Sequence, residues 1–390
     1  MGPFKRAVVV VCDGLGVGAA PDAAAFGDEH SDTLGHVLSL GHARIPNLAA
    51  LGLGNLPPTF SGAREASPRA GFGRLAERSA GKDTATGHWE MMGLVTEKAF
   101  RLYPGGFPSS LIDRFSKETG RGVLGNKAAS GTAILDELGE EHRRTGAWIV
   151  YTSADSVFQV AAHQEVVPLE ELYAACQAAR DMLRPPHGVS RVIARPFVGS
   201  PGAWTRTAHR KDFSSPPPGP TLLDRLADRH VPRLGIGKVD DLFAGRNIAS
   251  VHAATNAEGY HLICSALDAM PRGLIFANIL EFDQSWGHRN DVTGFLGGLR
   301  ELDQALPDIL GRVREEDLVI FTADHGNDPT TPSTDHSRER VPVLVYGPRV
   351  RPVALGERAT FADIGQTVAE YLGAAPLDAG RSFLGAILDA

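Results

Sequence analysis

The sequence predicts an α/β protein in which helices sandwich a mainly parallel sheet, with a further domain inserted into this core. Apolar runs of strand length alternate with helical segments in the second half of the chain, at residues 274–280, 295–306 and 318–321. This βαβ order is typical of a parallel sheet covered by helices. A Pro-rich segment at residues 214–220 separates this half from a middle region with its own strands and helices, which indicates the insertion.

The core domain is expected to comprise residues 1–100 and 220–390. Its first strand is the apolar run at residues 8–12, and helical patterns follow at 33–40, at 46–51 and after Thr84. Past the Pro-rich segment, a helix starts at Thr221, and a short strand at 232–237 ends at Lys238. After the βαβ unit, residues 341–346 are predicted to form a strand and residues 361–372 an amphipathic helix capped by Thr360.

The inserted domain is expected to comprise residues 101–219. A loop rich in glycine and proline follows Arg101. Beyond it, the patterns predict helices at 110–119 and 169–183 and strands at 148–151 and 191–197. A chain of 390 residues is also long for a single hydrophobic core, which favours two domains.

Composition excludes several classes of protein. The formal net charge of −7 argues against nonspecific nucleic-acid binding. The odd number of scattered cysteines (Cys12, Cys176 and Cys264) suggests neither a disulfide framework nor a zinc motif, which fits a reducing cytoplasm. The first apolar run is interrupted by Asp13 and Gly14, so it is better explained as a core strand than as a signal peptide. We therefore expect a cytoplasmic monomer with no nucleic-acid or membrane partner.

Acids and imidazoles follow three of the predicted strands. A single Asp or His at such a place is more often a cap or a turn residue. The carboxyl ends of strands in an open α/β sheet converge on one edge, however, so the whole set is expected to meet. Mixed oxygen and nitrogen ligands without thiolate suit zinc, manganese or iron better than calcium. The candidate metal ligands, enough for two divalent cations, are Asp13, Asp283, His288, Asp324, His325 and His336.

A threonine-containing segment at residues 81–94 is polar at first and then helical in character. Thr84 or Thr86 is a candidate N-cap of that helix, which for most threonines at such a place is their whole role. The functional alternative is a nucleophile at a helix N-terminus, where free N–H groups and the macrodipole stabilise a phosphate. A threonine hydroxyl needs activation, which neighbouring cations would supply.

Seven segments together resemble a known family. They resemble the alkaline phosphatase superfamily of two-metal phosphoryl-transfer enzymes and, within it, the phosphopentomutase family, over essentially the whole chain. The Asp-His-Gly segment alone is typical only of the superfamily, whereas the segment around Thr84 is much more specific. The segments are 12–14 with 21–23, 81–90, 151–156, 191–199, 282–289, 322–329 and 334–336.

The resemblance implies an alkaline-phosphatase-like core, an inserted α+β cap domain and two manganese ions, with other divalent cations as alternatives. Thr84 matches the family's phosphorylated threonine, which bridges the ions. Two groups of three ligands are implied, Asp13 with Asp324 and His325, and Asp283 with His288 and His336.

The implied reaction is that of an isomerase of nucleoside metabolism. It interconverts ribose 1-phosphate and ribose 5-phosphate, and the 2-deoxyribose phosphates, through a phosphothreonine and a 1,5-bisphosphate, with a sugar bisphosphate as primer. The mutase must exclude water, which gives the cap a role. Substrate contacts are expected from Asp155, Arg191, Arg206 and Lys238, although each of these side chains is equally consistent with a surface ion pair.

Three other classes of function were weighed against this one. A cofactor-independent phosphoglycerate mutase would share the metal site, but no serine nucleophile motif of that kind is present. A metal-dependent phosphomonoesterase or phosphodiesterase of the same superfamily would release free phosphate. A non-catalytic metal-binding module has no need for a nucleophile such as Thr84 beside six ligands.

Overall fold

The computed structural model describes residues 5–41, 44–57, 64–153, 156–184 and 186–388. The chain divides into two compact units, residues 1–99 with 217–390 (unit 1) and residues 100–216 (unit 2). None of the helices in the described ranges combines the length and the apolar character that crossing a membrane requires.

The strands in chain order are β1 Arg6–Cys12, β2 Gly71–Leu75, β3 Val123–Ala128, β4 Trp148–Thr152, β5 Val157–His163, β6 Arg191–Val198, β7 Thr205–Arg206, β8 Lys211–Ser214, β9 Arg233–Ile236, β10 Ser250–Val251, β11 Gly273–Ile279, β12 Asp317–Thr322, β13 Val341–Tyr346 and β14 Ala354–Arg358. The α-helices are α1 Thr33–Leu40, α2 Pro46–Ala50, α3 Thr84–Met91, α4 Ser109–Thr119, α5 Gly131–Thr145, α6 Leu169–Met182, α7 Leu222–Asp228, α8 Val239–Leu242, α9 Asn256–Ala269, α10 Val292–Leu310, α11 Ala362–Leu372 and α12 Leu384–Ile387.

Unit 1 is built on an eight-stranded sheet in the order β10-β9-β11-β1-β12-β13-β2-β14. Only β13 runs against its neighbours, so the sheet is mainly parallel, as predicted. Every residue of the central strands β1, β11 and β12 is buried. Such continuous apolar strands require cover on both faces.

Two groups of helices provide this cover. Helices α3, α7, α8 and α11 pack with one another, and α1, α2, α9 and α10 form the other group. Side chains alternate between the two faces of a strand, so residues of β11 that lie an odd number of positions apart contact different groups of helices. The Phe276 ring lies 5.6 Å from that of His88 in α3, whereas the side chain of Ile279 approaches Gly259 in α9.

Unit 2 is a mixed sheet in the order β3-β4-β5-β6-β7, with β8 also pairing with β6. Phe115 of α4 and Cys176 of α6 belong to a hydrophobic cluster with Phe158 and Val192 of the sheet. A second cluster joins Ile134 of α5 to the sheet. Unit 2 is therefore an α+β arrangement.

Several elements escaped the sequence analysis, among them β2, β3, β5, α5 and α9. The sequence of β2, Gly-Phe-Gly-Arg-Leu, holds two glycines, which are poor strand formers. Gly73 is nevertheless suited to its place, because a Cβ there would lie 2.7 Å from the carbonyl oxygen of Gly356 in the adjacent strand β14. The close approach of two backbones at Gly73 depends on tertiary structure, which local patterns do not reveal.

Candidate active site

The ends of three adjacent strands bring the predicted ligands of unit 1 together. Asp13 directly follows β1, and Asp324 and His325 follow β12, on one side of β1 in the sheet. On the other side, β11 leads into a π-helical turn, Phe282–Trp286, which carries Asp283. Single π-helical turns are frequently found at functional sites.

Two groups of buried side chains present ligand atoms within 4.8 Å of one another, namely Asp13 with Asp324 and His325, and Asp283 with His325 and His336. His325 Nε2 lies 3.4 Å from Asp13 Oδ1 and 3.2 Å from Asp324 Oδ2. His336 Nε2 lies 3.3 Å from Asp283 Oδ1. His325 thus belongs to both groups in the structure. The resemblance instead implied His325 for the first group alone and His288 for the second.

His288 also contacts this cluster, through the other oxygen of Asp283. Its Nε2 lies 3.2 Å from Asp283 Oδ2, and its ring centroid is 4.9 Å from that of His336. All six predicted ligands thus lie in one connected group at the edge of the sheet.

The three imidazoles share one orientation. The Nδ1 atoms of His288, His325 and His336 lie 2.7, 3.1 and 3.1 Å from the backbone carbonyl oxygens of Thr334, Gly326 and Lys82. A carbonyl accepts only, so each Nδ1 carries a proton, and in the neutral form of each ring the lone pair of Nε2 would point at a carboxylate. Two acceptors that face each other in this way need a cation between them, and a backbone partner on the other nitrogen is the usual arrangement of metal-binding histidines.

The buried polar atoms that have no hydrogen-bond partner also indicate a cation at this cluster. Asp13 Oδ1, Asp324 Oδ2 and His336 Nε2 are buried and have no hydrogen-bond partner in the described part of the chain. Four ligands around an ion with bonds of about 2.05 Å are separated by about 3.3 Å from one another. The observed separations of 3.2 to 3.4 Å match that value, so these residues fit divalent cations.

The electrostatics of the clustered side chains also favour a cation. Burial, together with the charges of Asp324 and Asp283, raises the pKa of Asp13 to about 6. Burial likewise acts to raise the pKa of Asp324, but His325 and His88 outweigh it and hold that pKa below its usual value. Although burial opposes its charge, the neighbouring Asp324 carboxylate raises the pKa of His325. Burial thus works against the charge of these neighbouring carboxylates, and a divalent cation would compensate that charge.

Thr84 is the first residue of α3 and directs its hydroxyl at the cluster. Its Oγ1 lies 3.0 Å from His325 Nε2. Thr86 is buried, with its Oγ1 2.9 Å from Asp83 Oδ2 and 3.0 Å from the carbonyl oxygen of Asp83. The prediction that Thr84 or Thr86 caps this helix is wrong, because the N-cap is Asp83, whose side chain accepts from the Thr86 N–H. Aspartate ranks with the best N-cap residues, so this outcome was available from the sequence.

The remaining residues of the segment at 81–90 hold α3 against the rest of unit 1. A Cβ added to Gly87 would lie 2.3 Å from the carbonyl oxygen of Asp324, so only glycine permits this approach. The indole of Trp89 donates to the carbonyl of Leu242. The buried carboxylate of Glu90 accepts from the N–H groups of Arg78, Ser79 and Phe361 and from the Thr360 hydroxyl.

Sequence reasoning missed three polar residues that contact the ligands, His88, Asn278 and Asn327. The Asn327 amide donates to Asp283 Oδ1 at 2.7 Å. Asn278 lies within the buried strand β11, where a polar residue in an apolar run was the available signal. His88 lies within the quoted segment, but nothing in the pattern distinguished it from a packing residue.

The predicted substrate contacts lie in both units. Asp155 lies outside the described residues. In unit 2, Arg191 Nη1 is 3.5 Å from Asp212 Oδ2, and the exposed Arg206 donates from Nη2 to the Tyr151 hydroxyl at 3.3 Å. Lys238, which follows β9 in unit 1, donates from Nζ to Gln284 Oε1.

Comparison with known proteins identifies the family. The model of the metalloenzyme superfamily matches residues 236–376. A phosphopentomutase of Caldanaerobacter subterraneus subsp. tengcongensis is 52% identical, over 98% of both chains. A phosphopentomutase of Anaeromyxobacter sp. (strain K) is 55% identical, over 97% of this chain and 98% of the relative. The chain belongs to the phosphopentomutase family.

Membership of this family confirms the predicted enzyme class, an isomerase that is an intramolecular phosphotransferase (EC 5.4.2.7). The structure of the PH0037 protein from Pyrococcus horikoshii resembles this fold with a TM-score of 0.51, at 15% identity and over 95% of this chain and 98% of that one. The predicted alkaline-phosphatase-like fold class is confirmed. The chain is a metalloenzyme whose clusters suit divalent cations.

Proposed function

We propose that this chain interconverts ribose 1-phosphate and ribose 5-phosphate, and the 2-deoxyribose phosphates, by intermolecular phosphoryl transfer through phosphorylated Thr84 and a 1,5-bisphosphate. This activity serves nucleoside salvage and catabolism in the cytoplasm, with a sugar bisphosphate as activator. The observation that carries the proposal is the position of the Thr84 hydroxyl, at a helix N-terminus and 3.0 Å from His325 Nε2 in the ligand cluster. The names of the relatives support the same substrate class.

Two divalent cations, manganese by the family resemblance, would be held in this cluster. We assign one ion to Asp13, Asp324 and His325 and the other to Asp283, His288 and His336. When bound, the cations would lower the pKa of the Thr84 hydroxyl and neutralise charge on the transferred phosphoryl group.

The chain itself contributes an anion site at the start of α3. The first N–H groups of an α-helix have no partner within the helix. Asp83 engages the N–H of Thr86, so the N–H groups of Thr84 and Ala85 are left to face a phosphoryl group on Thr84. The positive end of the helix dipole favours the same charge.

Unit 2 is proposed to act as the cap that excludes water and grips the sugar and its distal phosphate. Several arginines lie around β6, and Asp212 is in contact with Arg191 Nη1 at 3.5 Å and with Arg210 Nη2 at 2.6 Å. Burial and the charge of Arg210, with a smaller part from Arg206, lower the pKa of Arg195 to about 10. Guanidinium groups are suited to bind a phosphate, because they offer paired N–H donors and a positive charge. We assign substrate contacts to Asp155, Arg191, Arg206 and, in unit 1, Lys238.

The substrate contacts are tested with Arg191→Ala. Loss of a phosphate contact should raise the KM for ribose 5-phosphate at least about tenfold, since hydrogen bonds to charged groups contribute about 1.5–3 kcal/mol. Arg114→Ala is the matched control, because Arg114 is an exposed residue of unit 2 whose described partner is Glu118, one turn along α4. If Arg191→Ala left both KM and turnover at the wild-type values, the assigned role would be wrong.

The nucleophile is tested by phosphate incorporation from a ³²P-labelled sugar bisphosphate. Thr84→Ala should abolish the label on the protein, because the accepting oxygen is gone. Thr86→Ala should leave labelling measurable, because the Thr86 hydroxyl is engaged by Asp83. The reverse pattern would refute the assignment of Thr84.

A further inference from the structure

A fully buried histidine connects the nucleophile helix to the ligand cluster. His88 lies one turn after Thr84 on α3, and its side chain has no exposed surface. Its Nδ1 is 2.8 Å from the carbonyl oxygen of Thr84 and 3.3 Å from Asp324 Oδ2. Its Nε2 is 3.0 Å from Asn278 Nδ2. The ring thus lies between the backbone of the nucleophile and a proposed metal ligand.

Asn278 extends this contact to a second proposed ligand. Its Nδ2 also donates to Asp13 Oδ2 at 3.1 Å. Asn278 pairs with Val11 of β1 in the central sheet, two residues before Asp13. The side chains therefore form one connected path, Asp13–Asn278–His88–Asp324.

The proton positions along this path follow from the partners. The Asp13 carboxylate only accepts, so the Asn278 atom that faces it must be the amide nitrogen. The same amide nitrogen faces His88 Nε2, which must therefore be the acceptor. The remaining proton of the neutral ring is on Nδ1, where the Thr84 carbonyl is its acceptor at 2.8 Å and Asp324 Oδ2 lies 3.3 Å away. Each partner thus determines the next, and only one orientation of the two side chains satisfies all of them.

Packing alone does not account for these two residues. His88 and Asn278 are 0% and 1% exposed, and the Asn278 Oδ1 atom has no partner in the described part of the chain. A buried polar atom without a partner costs free energy, so an apolar pair would be expected if filling space were the only requirement. The contacts with Thr84, Asp324 and Asp13 therefore point to a geometric role.

We propose that His88, together with Asn278, is a positioning residue that holds the Thr84 backbone and the carboxylates of Asp13 and Asp324 in register. This inference rests on the proposed function, which makes Thr84 the nucleophile and the two acids metal ligands. Nδ1 holds the first turn of α3 through the Thr84 carbonyl, and Asn278 holds Asp13. Loss of the path would leave each of the three groups free to reorient. Partners of this kind typically change metal affinity or activity about 10–100-fold when they are removed.

The test compares Mn²⁺ binding to the metal-free protein, by isothermal titration calorimetry, with turnover of ribose 5-phosphate. His88→Leu should weaken Mn²⁺ binding about 10–100-fold and lower kcat, with the KM for ribose 5-phosphate changed less than about twofold. His88→Asn keeps a donor at the place of Nδ1 and should recover most of both losses. The double variant His88→Leu with Asn278→Ala should lose little more Mn²⁺ affinity and kcat than the more affected single variant. The effects of two substitutions within one hydrogen-bond network do not add.

His142→Leu is the matched control for the loss of a buried histidine. His142 is also fully buried in unit 2, with Nδ1 2.6 Å from the Ala147 carbonyl and Nε2 accepting from the His163 N–H at 2.8 Å. It should lower the thermal midpoint without changing Mn²⁺ affinity. If His88→Leu fails to fold, Asn278→Ala provides the same comparison, because it removes the link to Asp13.

The outcomes separate this inference from the proposed function. Wild-type Mn²⁺ affinity and kcat in both His88→Leu and Asn278→Ala would overturn the positioning role. Equal losses in His88→Asn and His88→Leu would do so as well, since the donor would then be irrelevant. Asp13→Asn reports on the proposed ligand set by itself. If it left Mn²⁺ affinity unchanged, the ligand assignment would fail whatever His88 does.

Discussion

Replacing Gly87 with alanine should move Thr84, the proposed nucleophile, away from the cluster of candidate ligands. A Cβ at this position would lie 2.3 Å from the carbonyl oxygen of Asp324 and 3.0 Å from its carbonyl carbon. Carbon and oxygen atoms normally approach to about 3.3 Å, so α3 and the end of β12 must move apart by about 1 Å. Both partners are backbone, which leaves no side-chain rotation to relieve the contact.

The expected cost follows from that displacement. A shift of about 1 Å between reacting groups can lower the rate about 100-fold, which corresponds to about 2.7 kcal/mol in the activation free energy. Overpacking of this kind also lowers the free energy of unfolding by about 1–3 kcal/mol. Thr84 would remain chemically intact in this variant, so any loss reports on geometry alone.

The assay measures kcat for ribose 5-phosphate and the urea midpoint of Gly87→Ala beside Gly297→Ala. Gly297 is an exposed residue of α10, and a Cβ there meets no atom within 4 Å. Gly297→Ala should keep full turnover and stabilise the protein by about 0.5–1 kcal/mol, the usual gain within a helix. Wild-type kcat in Gly87→Ala would refute the reasoning, because the two backbones would then tolerate separation without effect on the chemistry.

Two further predictions concern stability. Mn²⁺ at 100 times its dissociation constant should raise the free energy of unfolding by about 2.7 kcal/mol per site. A chelator should reverse this gain. Denaturation curves that respond neither to Mn²⁺ nor to the chelator would contradict a metal site in the fold. Arg338→Met should lower the free energy of unfolding by about 3–5 kcal/mol, because it leaves the buried carboxylate of Glu77 without its charged partner. In the wild-type protein, Arg338 Nη1 lies 2.5 Å from Glu77 Oε2. Burial raises the pKa of Glu77 well above its usual value, although the charge of Arg338 acts to lower it. A raised folded-state pKa means that the free energy of unfolding falls as the pH rises from the unfolded-state pKa through the folded-state pKa, and the loss of Arg338 raises the folded-state pKa further. The deficit of Arg338→Met in urea denaturation should therefore grow with rising pH and shrink in the double variant with Glu77→Gln, and a deficit that is independent of pH would count against this account.

The strands that lead to the candidate ligands were predictable from sequence because each is a mostly apolar run of strand length that is followed by a polar segment. Strands β1, β11 and β12 are buried on both faces, which leaves a clear compositional signal. Convergence of Asp13 and Asp324 then follows from the geometry of a parallel sheet. The order of the strands and the antiparallel position of β13 depend on pairings between residues far apart in sequence, for which local patterns carry no signal.

The supporting contacts of the site were harder to predict. The Glu90 carboxylate accepts from four donors in two segments, residues 78–79 and 360–361, and the local sequence of α3 gives no signal of these contacts. His325 likewise belongs to two groups of candidate ligands, and the second group includes Asp283 from the π-helical turn, far from His325 in sequence. Local sequence specifies which residue types are present, whereas the distances among them are set by tertiary packing.

The central claim is that the phosphoryl group on Thr84 is returned to a sugar and not to water. ³¹P NMR of the manganese-loaded protein with ribose 5-phosphate, with and without a sugar bisphosphate primer, tests it most directly. The account predicts that ribose 1-phosphate appears without stoichiometric inorganic phosphate, that the primer accelerates its formation, and that Thr84→Ala forms none. Inorganic phosphate as the main product, or ribose 1-phosphate formed by Thr84→Ala, would contradict the account.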